Sequence, residues 1–503
     1  MNNANRVLKN TAALYVRMIF LTLISLFTYR VVLGVLGASD YGTYNVVGGF
    51  VTMFSFVSGT MVLCSQRYFA IELVNDDWQG LSRVFSVHLV IYVILSAVIL
   101  LFAETIGLWF VLNKLNLDYS RMTTIIIVYE TSVAVFLIGL LISPFLALLV
   151  ADENLTIYSW ISILEGILKI GVAYFLYTIH GDKLEIYAVL LLLVSLLING
   201  IYLIYCLAKY RQLKFILSRD AEEYKSIFSF VNWSLIGAIA AVAKSQGVNI
   251  IINIFFGTVV NAARGIAYQL HSVISSFAQN FMKAINPRIT KTIAEDDADS
   301  SASIIYTASK LSYFLLLFVS LPFMANIDYV LTLWLGEIPE HTKVFTVLAL
   351  IDALILSITD SILTGVQATG KVKVYQITVG GLALLNLPIS YIALCISNNP
   401  VIPFVVSIVV DIAMTFARLF NFKRVHSFSV LQYCQRVLIP LIVVTVTTTT
   451  VDLLFLSDAQ NFIYLIWNTI GSIFVMLTVV YCIGLNYNER QLIKGFLPFE
   501  KKK

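Results

Sequence analysis

Long apolar stretches follow one another along almost the whole sequence, and they restrict the chain to one class of protein. A helix needs about 20 apolar residues to span the hydrocarbon core of a bilayer. Of the 503 residues, 59% are hydrophobic and 12% are charged, and the mean hydropathy is +0.88. These values exclude an ordinary soluble fold. The sequence therefore predicts an all-α polytopic membrane protein.

Fourteen stretches have the length and composition of transmembrane helices. They lie at 11–33, 42–64, 84–109, 122–148, 155–178, 185–207, 227–255, 260–283, 308–327, 344–365, 374–396, 401–420, 435–456 and 460–485. With both termini in the cytoplasm, 24 of the 33 basic residues fall in inner segments. Only four, Lys114, Arg121, Lys183 and Lys343, fall in outer loops. Because basic residues are retained on the cytoplasmic side, this asymmetry predicts that orientation and an even number of helices.

The two halves of the chain begin in a similar way. Asn10 leads a predicted helix that ends at Gly37, and Asn232 leads one that ends at Gly257. Six helices per half give both copies the same orientation, so we expect a parallel repeat with a central cleft. The predicted parts are a six-helix lobe at 1–215, a second at 216–425, and two additional helices with a cytoplasmic tail at 426–503.

Arginines of the first predicted helix are candidates for binding an anionic substrate. An ionisable group inside a span costs about 2.5–3.5 kcal/mol on insertion scales, so it is expected to face a cavity. Arg17 lies about 10 Å into the helix, whereas Arg30 is near the outer end, where its stem can snorkel. The two lie on nearly opposite faces of an ideal helix. Both line one cleft only if that helix bends.

Three further basic residues lie in or near predicted spans. Lys244 sits in a polar cluster with Gly247, where the helix can bend, and we expect it to line the cavity rather than to snorkel. Lys169 follows Glu165 by four residues, the favoured order for a pair on one helix face. A structural pair and a transport role are both open for these two residues. Arg264 opens the eighth helix from the outer side and is expected to be interfacial, although Asn261 beside it suggests a polar opening. All three residues are candidates, with Arg17 and Arg30, for a cationic substrate-binding cleft.

Five acids within predicted spans are candidates for coupling to an ion gradient. They are Glu130, Glu165, Asp352, Asp360 and Asp411. Asp411 and Glu165 fall nearest the middle of the membrane, and Asp352 and Asp360 share one side of the tenth predicted helix. A carboxylic acid at such a position can change protonation as the cavity fills with water. The alternative for each is an acid held by a neighbouring cation.

Sequence signatures of enzymes are absent. There is no GxxxxGK[ST] phosphate loop, HExxH or GxSxG. Asp297-Ala298-Asp299 imitates the DxD of some glycosyltransferases, but it lies in an acidic loop with no nucleotide-binding fold around it. The five cysteines show no metal or redox spacing, and a net charge of +4 is too dispersed for nucleic acid. We therefore expect no enzymatic activity, no cofactor and no metal.

Two parts of the sequence, about 5–85 and 225–300, resemble Wzx-type polysaccharide flippases. The residues that carry the resemblance are Asn10-Thr11, Leu14-Tyr15, Arg17-Met18, Tyr29-Arg30-Val31-Val32, Leu36-Gly37, Asp40-Tyr41-Gly42-Thr43-Tyr44-Asn45-Val46-Val47-Gly48-Gly49, Gln66-Arg67-Tyr68, Asn232-Trp233, Gln246-Gly247, Asn249-Ile250, Phe255-Phe256-Gly257, Val260-Asn261-Ala262-Ala263-Arg264-Gly265-Ile266-Ala267 and Asn286-Pro287-Arg288.

The resemblance implies the MATE-like fold of the multidrug/oligosaccharidyl-lipid/polysaccharide exporter superfamily, with two six-helix lobes and two extra helices. It also implies alternating access in a bacterial inner membrane, with an undecaprenyl-diphosphate-linked oligosaccharide as substrate, membrane lipid around it and polysaccharide polymerases as partners. An ion gradient would drive transport. Arg17 and Lys244 correspond to the cavity cations of that class. The alternatives are a cation-coupled small-molecule exporter of the same fold and a membrane glycosyltransferase, which needs longer extramembrane loops than the roughly 20–25 residues expected here.

Overall fold

The computed structural model describes residues 3–74, 77–152, 154–216, 221–295, 297–369, 371–455, 461–486 and 489–490. The tail beyond residue 490 and the side chains of Asn10 and Asn232, which lead the proposed repeat, lie outside the described part. The α-helices are Asn3–Thr52 (α1), Ser55–Val74 (α2), Trp78–Phe102 (α3), Leu108–Lys114 (α4), Met122–Ala151 (α5), Leu155–Phe175 (α6), Lys183–Lys209 (α7), Ala221–Ala294 (α8), Ala298–Ala325 (α9), Ile327–Leu335 (α10), Thr342–Ser357 (α11), Asp360–Ala368 (α12), Val372–Ile396 (α13), Ile402–Val425 (α14), Val430–Tyr433 (α15), Ile439–Phe455 (α16) and Phe462–Val479 (α17).

The helices have the lengths that a membrane protein needs. Among the described residues, twelve helical segments are long and apolar enough to cross a bilayer. Two of them, Phe20–Thr52 and Val242–Lys283, contain a glycine with non-helical backbone angles. Each of these glycines divides its segment into two helical stretches. The predicted fold class, an all-α polytopic protein of about fourteen helices, is confirmed.

Gly37 and Gly257 turn the chain at equivalent places. Gly37 has φ 74° and Gly257 has φ 77°, in the left-handed region that costs an L-residue roughly 1–2 kcal/mol. Glycine pays no such steric cost, so the chain turns there without an intervening loop. Gly247, which the sequence offered as a bend, lies inside the helix, and that expectation was wrong by ten residues.

The repeat recurs at a constant interval of 220 residues. This interval separates Gly37 from Gly257, and it also separates Asp77 from Asp297, which cap the N-termini of α3 and α9. The amide of each aspartate donates to a carbonyl five residues earlier, at 3.2 Å in both copies. The first residues of α5 and α11 are separated by the same interval. The two copies therefore share their turns and caps as well as their sequence motifs.

Several predicted boundaries need correction. The second predicted helix is interrupted at Met53–Phe54, before α2 continues to Val74. The segment 284–307, which lies between the eighth and ninth predicted helices, is largely helical, because α8 runs to Ala294 and α9 starts at Ala298. Asp297 is thus a helix cap whose Oδ1 accepts from the Ser300 amide at 3.0 Å. This capping bond lowers the pKa of the carboxyl and explains the DxD-like triplet without any catalytic role.

The chain forms two compact units, Met1–Gly265 and Ile266–Lys503. The first contains α1–α7 and the beginning of α8, with a core in which Tyr129 and Val128 of α5 pack against Val46 of α1 and Ala188 of α7. The second contains the rest of α8 and α9–α17. There Lys310 of α9 is fully buried and its Nζ donates to Glu489 at 2.5 Å. The three-part division of the sequence stays a prediction.

A charged cluster holds one end of the first unit together. Arg121 Nη1 lies 2.5 Å from Asp40, and Nη2 lies 2.5 Å from Asp182, the N-cap of α7. Thr124 also donates to Asp182, at 2.7 Å. Burial acts to raise the pKa of Asp182, but the hydrogen bonds from Arg121 and Thr124 outweigh it and the pKa lies below its usual value. The hydrogen bond to Asp182 raises the pKa of Arg121.

We predict that Asp182→Asn lowers the melting temperature of the purified protein in a pH-dependent way. Asparagine still caps α7, so the variant loses only the ion pair with Arg121. This pair stabilises the fold by about 1 kcal/mol after allowing for its partial exposure. Because the folded-state pKa of Asp182 is depressed, its stabilisation is complete above about pH 4 and disappears as the pH falls through the folded-state value. The melting-temperature difference between wild type and variant should therefore vanish on acidification. An equal difference at pH 7 and pH 3 would contradict this.

Candidate functional site

Arg17 lies in α1, three residues before the apolar segment Phe20–Thr52, and stacks on an aromatic ring of α6. Its guanidinium carbon is 4.7 Å from the centre of the Tyr158 ring, a cation–π distance. Its Nη2 also lies 3.4 Å from the Tyr158 hydroxyl. Its Nε is buried and forms no hydrogen bond to a described residue, and no described carboxylate pairs with it. Arg17 is thus a half-buried cation whose charge no acid of the described part neutralises.

Tyr158 is held in place by a hydrogen-bonded group between α6 and α7. Ser162 donates to the Tyr158 carbonyl at 2.8 Å, and Tyr202 donates to the same carbonyl at 3.2 Å. The Ser162 and Tyr202 hydroxyls are 3.4 Å apart. Since these bonds fix the backbone beneath Tyr158, they also fix the position of the ring that carries Arg17.

Two other basic candidates are placed differently. Lys169 Nζ lies 2.6 Å from Glu165 Oε1, and both side chains are more than a third exposed. The predicted pair on one helix face is therefore present, and it neutralises the charge of Glu165. Arg30 is exposed. Because α1 is continuous from Asn3 to Gly37, no bend brings Arg30 to the face of Arg17.

Lys244 and Arg264 lie close together on the two sides of the Gly257 turn. Arg264 is only 5% exposed, and its Nη2 donates to the carbonyl of Ser245 at 2.6 Å. Ser245 directly follows Lys244, which is half-buried. Arg264 is buried because the turn folds its helix back against the segment that precedes it. Arg264 therefore contacts the backbone of the residue that follows Lys244.

Asparagines join this turn to α1. Asn261 Nδ2 donates to Asn249 Oδ1 at 2.5 Å, and Asn249 Nδ2 donates to the carbonyl of Asn45 at 3.4 Å. Asn253 exchanges two hydrogen bonds with the backbone of Asn116, at 2.8 and 3.2 Å. Buried amides that are paired in this way fix the relative position of the segments that they join.

Glycine allows the backbones at this junction to approach each other. A Cβ atom on Gly42 would lie 1.8 Å from the Thr258 carbonyl oxygen, and one on Gly49 would lie 2.6 Å from Asn249 Nδ2. The Ser39 and Thr258 hydroxyls beside them are 3.3 Å apart. Gly42 and Gly49 belong to the motif that resembles the flippases, and close approach to α8 is their structural role.

Two acids predicted on one side of the tenth helix are separated in the structure. Asp352 lies in α11, and its Oδ2 is 3.9 Å from His271 Nε2 of α8. The helix breaks after Ser357, and Asp360 starts α12, near the charge of Arg418. Arg418 also donates to Thr359 at 2.7 Å. The two acids therefore have different basic neighbours on either side of this break, and their shared side stays a prediction.

The remaining acids have different surroundings. Asp411 of α14 is 1% exposed. Glu130 of α5 is half-buried and has the carboxyl of Glu104 as a neighbour. Glu104 lies in the π-helical turn Ala103–Gly107, which joins α3 to α4. Widened turns of this kind re-aim side chains within a helix, and here the turn brings a second acid to Glu130.

Sequence reasoning missed several residues of these clusters. His271 and Arg418, the neighbours of Asp352 and Asp360, lie within predicted spans, and counting histidine as ionisable would have found the first. Asp452 also lies within a predicted span, and the rule that selected the five acids applies to it equally. Tyr158 carries no signal of its own in the sequence, because nothing in a row of apolar and aromatic residues shows which ring meets Arg17.

No protein-family model and no curated protein sequence matches this chain. Solved structures do match it. A structure of the lipid II flippase MurJ in an inward closed conformation aligns with a TM-score of 0.65 at 15% identity, over 96% of this chain and 99% of MurJ. The fold is that of MurJ and the MATE transporters. An inward-facing multidrug resistance MATE transporter of the MOP superfamily aligns with a TM-score of 0.60 at 15% identity, over 83% of this chain and 98% of its own.

A further MATE structure, in complex with MaL6, aligns over 84% of this chain and 96% of its own, with a TM-score of 0.56 and 15% identity. The MATE structures are thus matched almost completely and still leave about a sixth of this chain without a counterpart. The MurJ structure leaves almost no part of this chain without a counterpart. In extent, the chain is closer to the MurJ form of the fold than to the MATE form, and at this identity the likeness concerns the fold alone.

We predict that Gly42→Ala separates the N-terminal helix from α8 at the Gly257 turn. The new methyl group would clash with a backbone carbonyl, and overpacking of this kind costs about 1–3 kcal/mol. Cross-linking of the Ser39→Cys/Thr258→Cys pair, whose side chains are in disulfide range, should fall about fivefold or more when Gly42→Ala is added.

Gly48→Ala is the matched control for this experiment, since it lies on the same helix and a Cβ atom there meets nothing within 4 Å. It should leave the cross-linking yield unchanged. An equal yield in the Gly42→Ala background would contradict the close approach of the two backbones.

Proposed function

We propose that this chain is a flippase that moves an undecaprenyl-diphosphate-linked oligosaccharide across the bacterial inner membrane by alternating access, for surface polysaccharide biosynthesis. The observation that carries the proposal is the Arg17–Tyr158 pair. Both termini would lie in the cytoplasm, and an ion gradient would drive the cycle. Polysaccharide polymerases would receive the translocated substrate.

The charge of Arg17 supports an anionic substrate. A cation held in a membrane-spanning helix is expensive unless something pairs with it, and no carboxylate of the described residues does so. A diphosphate supplies the missing charge, and a guanidinium binds such oxygens through two N–H groups at once. Tyr158 contacts the guanidinium through its ring face and through its hydroxyl, 3.4 Å from Nη2, so it brings no negative charge to Arg17.

Lys244 and Arg264 add to this argument. Both belong to the first unit, as Arg17 does, and both lie inside a membrane-spanning segment. Arg264 donates to the neutral carbonyl of Ser245. Several basic residues in the membrane-spanning segments of one unit favour a polyanionic headgroup over a cationic drug.

The extent of the structural likeness also supports a lipid-linked substrate. MurJ, a lipid II flippase by name, matches 96% of this chain, whereas the multidrug MATE transporters match 83–84%. A cation-coupled drug exporter of the same fold is the second candidate. It would need an acidic binding cleft, and Asp352, Asp360 and Glu165 all have basic neighbours.

We predict that Arg17→Ala abolishes export in a bacterium that lacks its own O-unit flippase and carries this chain. Loss of a charge-assisted hydrogen bond costs about 1.5–3 kcal/mol, so initial rates should fall by roughly 10- to 150-fold. Surface polysaccharide is the readout, and the amount of protein in the membrane is measured in parallel. Lys244→Ala should act in the same direction.

The controls separate binding from folding. Arg17→Lys keeps the charge and should retain part of the activity, while Arg30→Ala removes an exposed arginine of the same helix and should have no effect. Binding of undecaprenyl diphosphate to the purified protein is measured alongside, which removes any dependence on the sugar. Full export with Arg17→Ala would contradict the role of this residue, and active efflux of a cationic dye without undecaprenyl diphosphate binding would favour the drug exporter.

We predict that buried acids couple transport to an ion gradient. Asp352→Asn, Asp360→Asn and Asp411→Asn each remove a carboxyl that can exchange a proton or cation during the cycle. In proteoliposomes, these variants should reduce the stimulation of translocation by an imposed proton or sodium gradient while leaving gradient-free exchange intact. Unchanged stimulation in all three variants would exclude these acids as the coupling groups.

A further inference from the structure

Asp452 is a buried acid that the proposed transport cycle does not use. It lies in α16 of the second unit and is 5% exposed. Ser472 of α17 donates a hydrogen bond to its Oδ2. Its Oδ1 is buried and has no hydrogen-bond partner among the described residues. No lysine, arginine or histidine of the described part pairs with this carboxylate, so its charge is left without compensation.

Two hydrogen-bonded asparagines lie beyond Ser472, toward the end of α9. Asn468 lies one helical turn from Ser472 on the same face of α17, and its Nδ2 donates to Asn326 Oδ1 at 2.9 Å. Asn326 directly follows the last residue of α9 and donates to the Pro322 carbonyl at 3.0 Å. Three helices, α9, α16 and α17, thus bring amide, hydroxyl and carboxylate oxygens to one region.

The register of α9 and α16 adds one more oxygen. The Tyr313 and Thr445 hydroxyls of these two helices are 2.8 Å apart. Ser320 lies seven residues beyond Tyr313 in α9, and Asp452 lies seven residues beyond Thr445 in α16. Seven residues are about two helical turns, so Ser320 and Asp452 again lie on the sides of α9 and α16 that face each other. The Ser320 Oγ is fully buried and, like the Asp452 Oδ1, lacks a hydrogen-bond partner among the described residues.

The end of α9 strengthens the negative potential of this region. The helix ends at Ala325, and α10 starts at Ile327, so the last carbonyls of α9 have no helical partners and carry the negative end of its dipole. Pro322 has no amide hydrogen to pair with the Phe318 carbonyl. Interrupted helices with exposed carbonyls are where membrane transporters bind alkali cations.

We propose that Asp452, Ser472, Asn468 and Asn326 form a binding site for one monovalent alkali cation of the size of sodium, between α9, α16 and α17. One carboxylate among neutral oxygens suits a hard cation of single charge, whereas calcium sites recruit several carboxylates. The cation neutralises Asp452 in the membrane and bridges the C-terminal pair of helices to α9. The site is independent of the proposed substrate, because it uses none of the residues assigned to substrate binding or to coupling.

The test is thermal unfolding of the full-length detergent-solubilised protein in NaCl or choline chloride at constant ionic strength. A ligand that binds the folded state stabilises it in proportion to the logarithm of one plus its concentration over Kd. The melting temperature should rise with sodium and not with choline. Asp452→Asn should abolish this rise, whereas Asp328→Asn, which changes an exposed aspartate just beyond α9, should preserve it.

A second variant protects the test against misfolding of Asp452→Asn. Ser472→Ala keeps the carboxylate and removes one neutral oxygen, so the sodium concentration for half of the effect should increase about tenfold, equivalent to about 1.4 kcal/mol. The proposal is overturned if wild type shows no rise specific to alkali cations, or if the rise survives both Asp452→Asn and Ser472→Ala. A melting temperature that depends on pH through Asp452 but not on sodium would overturn it too, in favour of a proton-binding acid.

Discussion

The high cost of an unpaired polar or charged group in hydrocarbon governs this structure at every level. Backbone groups meet the requirement by forming helices, the only described secondary structure. Hydroxyl side chains meet it locally, as Ser143 and Thr448 do when they donate to the carbonyl four residues earlier. Ionisable side chains cannot meet it alone, and their partners therefore determine which helices must pack together.

The pairs found in the second unit follow from this requirement. Lys310 is fully buried and reaches Glu489, which ties the segment after α17 to α9. His271 stands beside Asp352, and Arg418 lies near Asp360. Each pair joins helices that are distant in sequence, so each acts as a tertiary constraint as well as a charge balance. Buried pairs contribute more to the uniqueness of the packing than to its net stability.

Arg17 and Asp452 depart from this pattern, and that makes them informative. Each is an ionisable group in a membrane-spanning helix that lacks an opposite charge among the described residues. One is a cation placed on an aromatic ring, and the other is an acid among neutral oxygens. An anionic headgroup and an alkali cation are the ligands that would complete them. Function in transporters is expected where the protein leaves a charge for a ligand to balance.

The sequence by itself determined the class of fold, the number of spans and the first signs of the repeat, because apolar length and the left-handed requirement of Gly37 and Gly257 are local properties. It also predicted the Glu165–Lys169 pair, whose partners are one helical turn apart. Only the tertiary structure decided that Tyr158 meets Arg17, that Arg264 is buried against Ser245 and that Asp352 and Asp360 have separate neighbours. Those contacts join residues from 19 to 141 positions apart or depend on a helix break. They are set by how helices pack, and hydrophobic periodicity carries no information about which helix will be the neighbour.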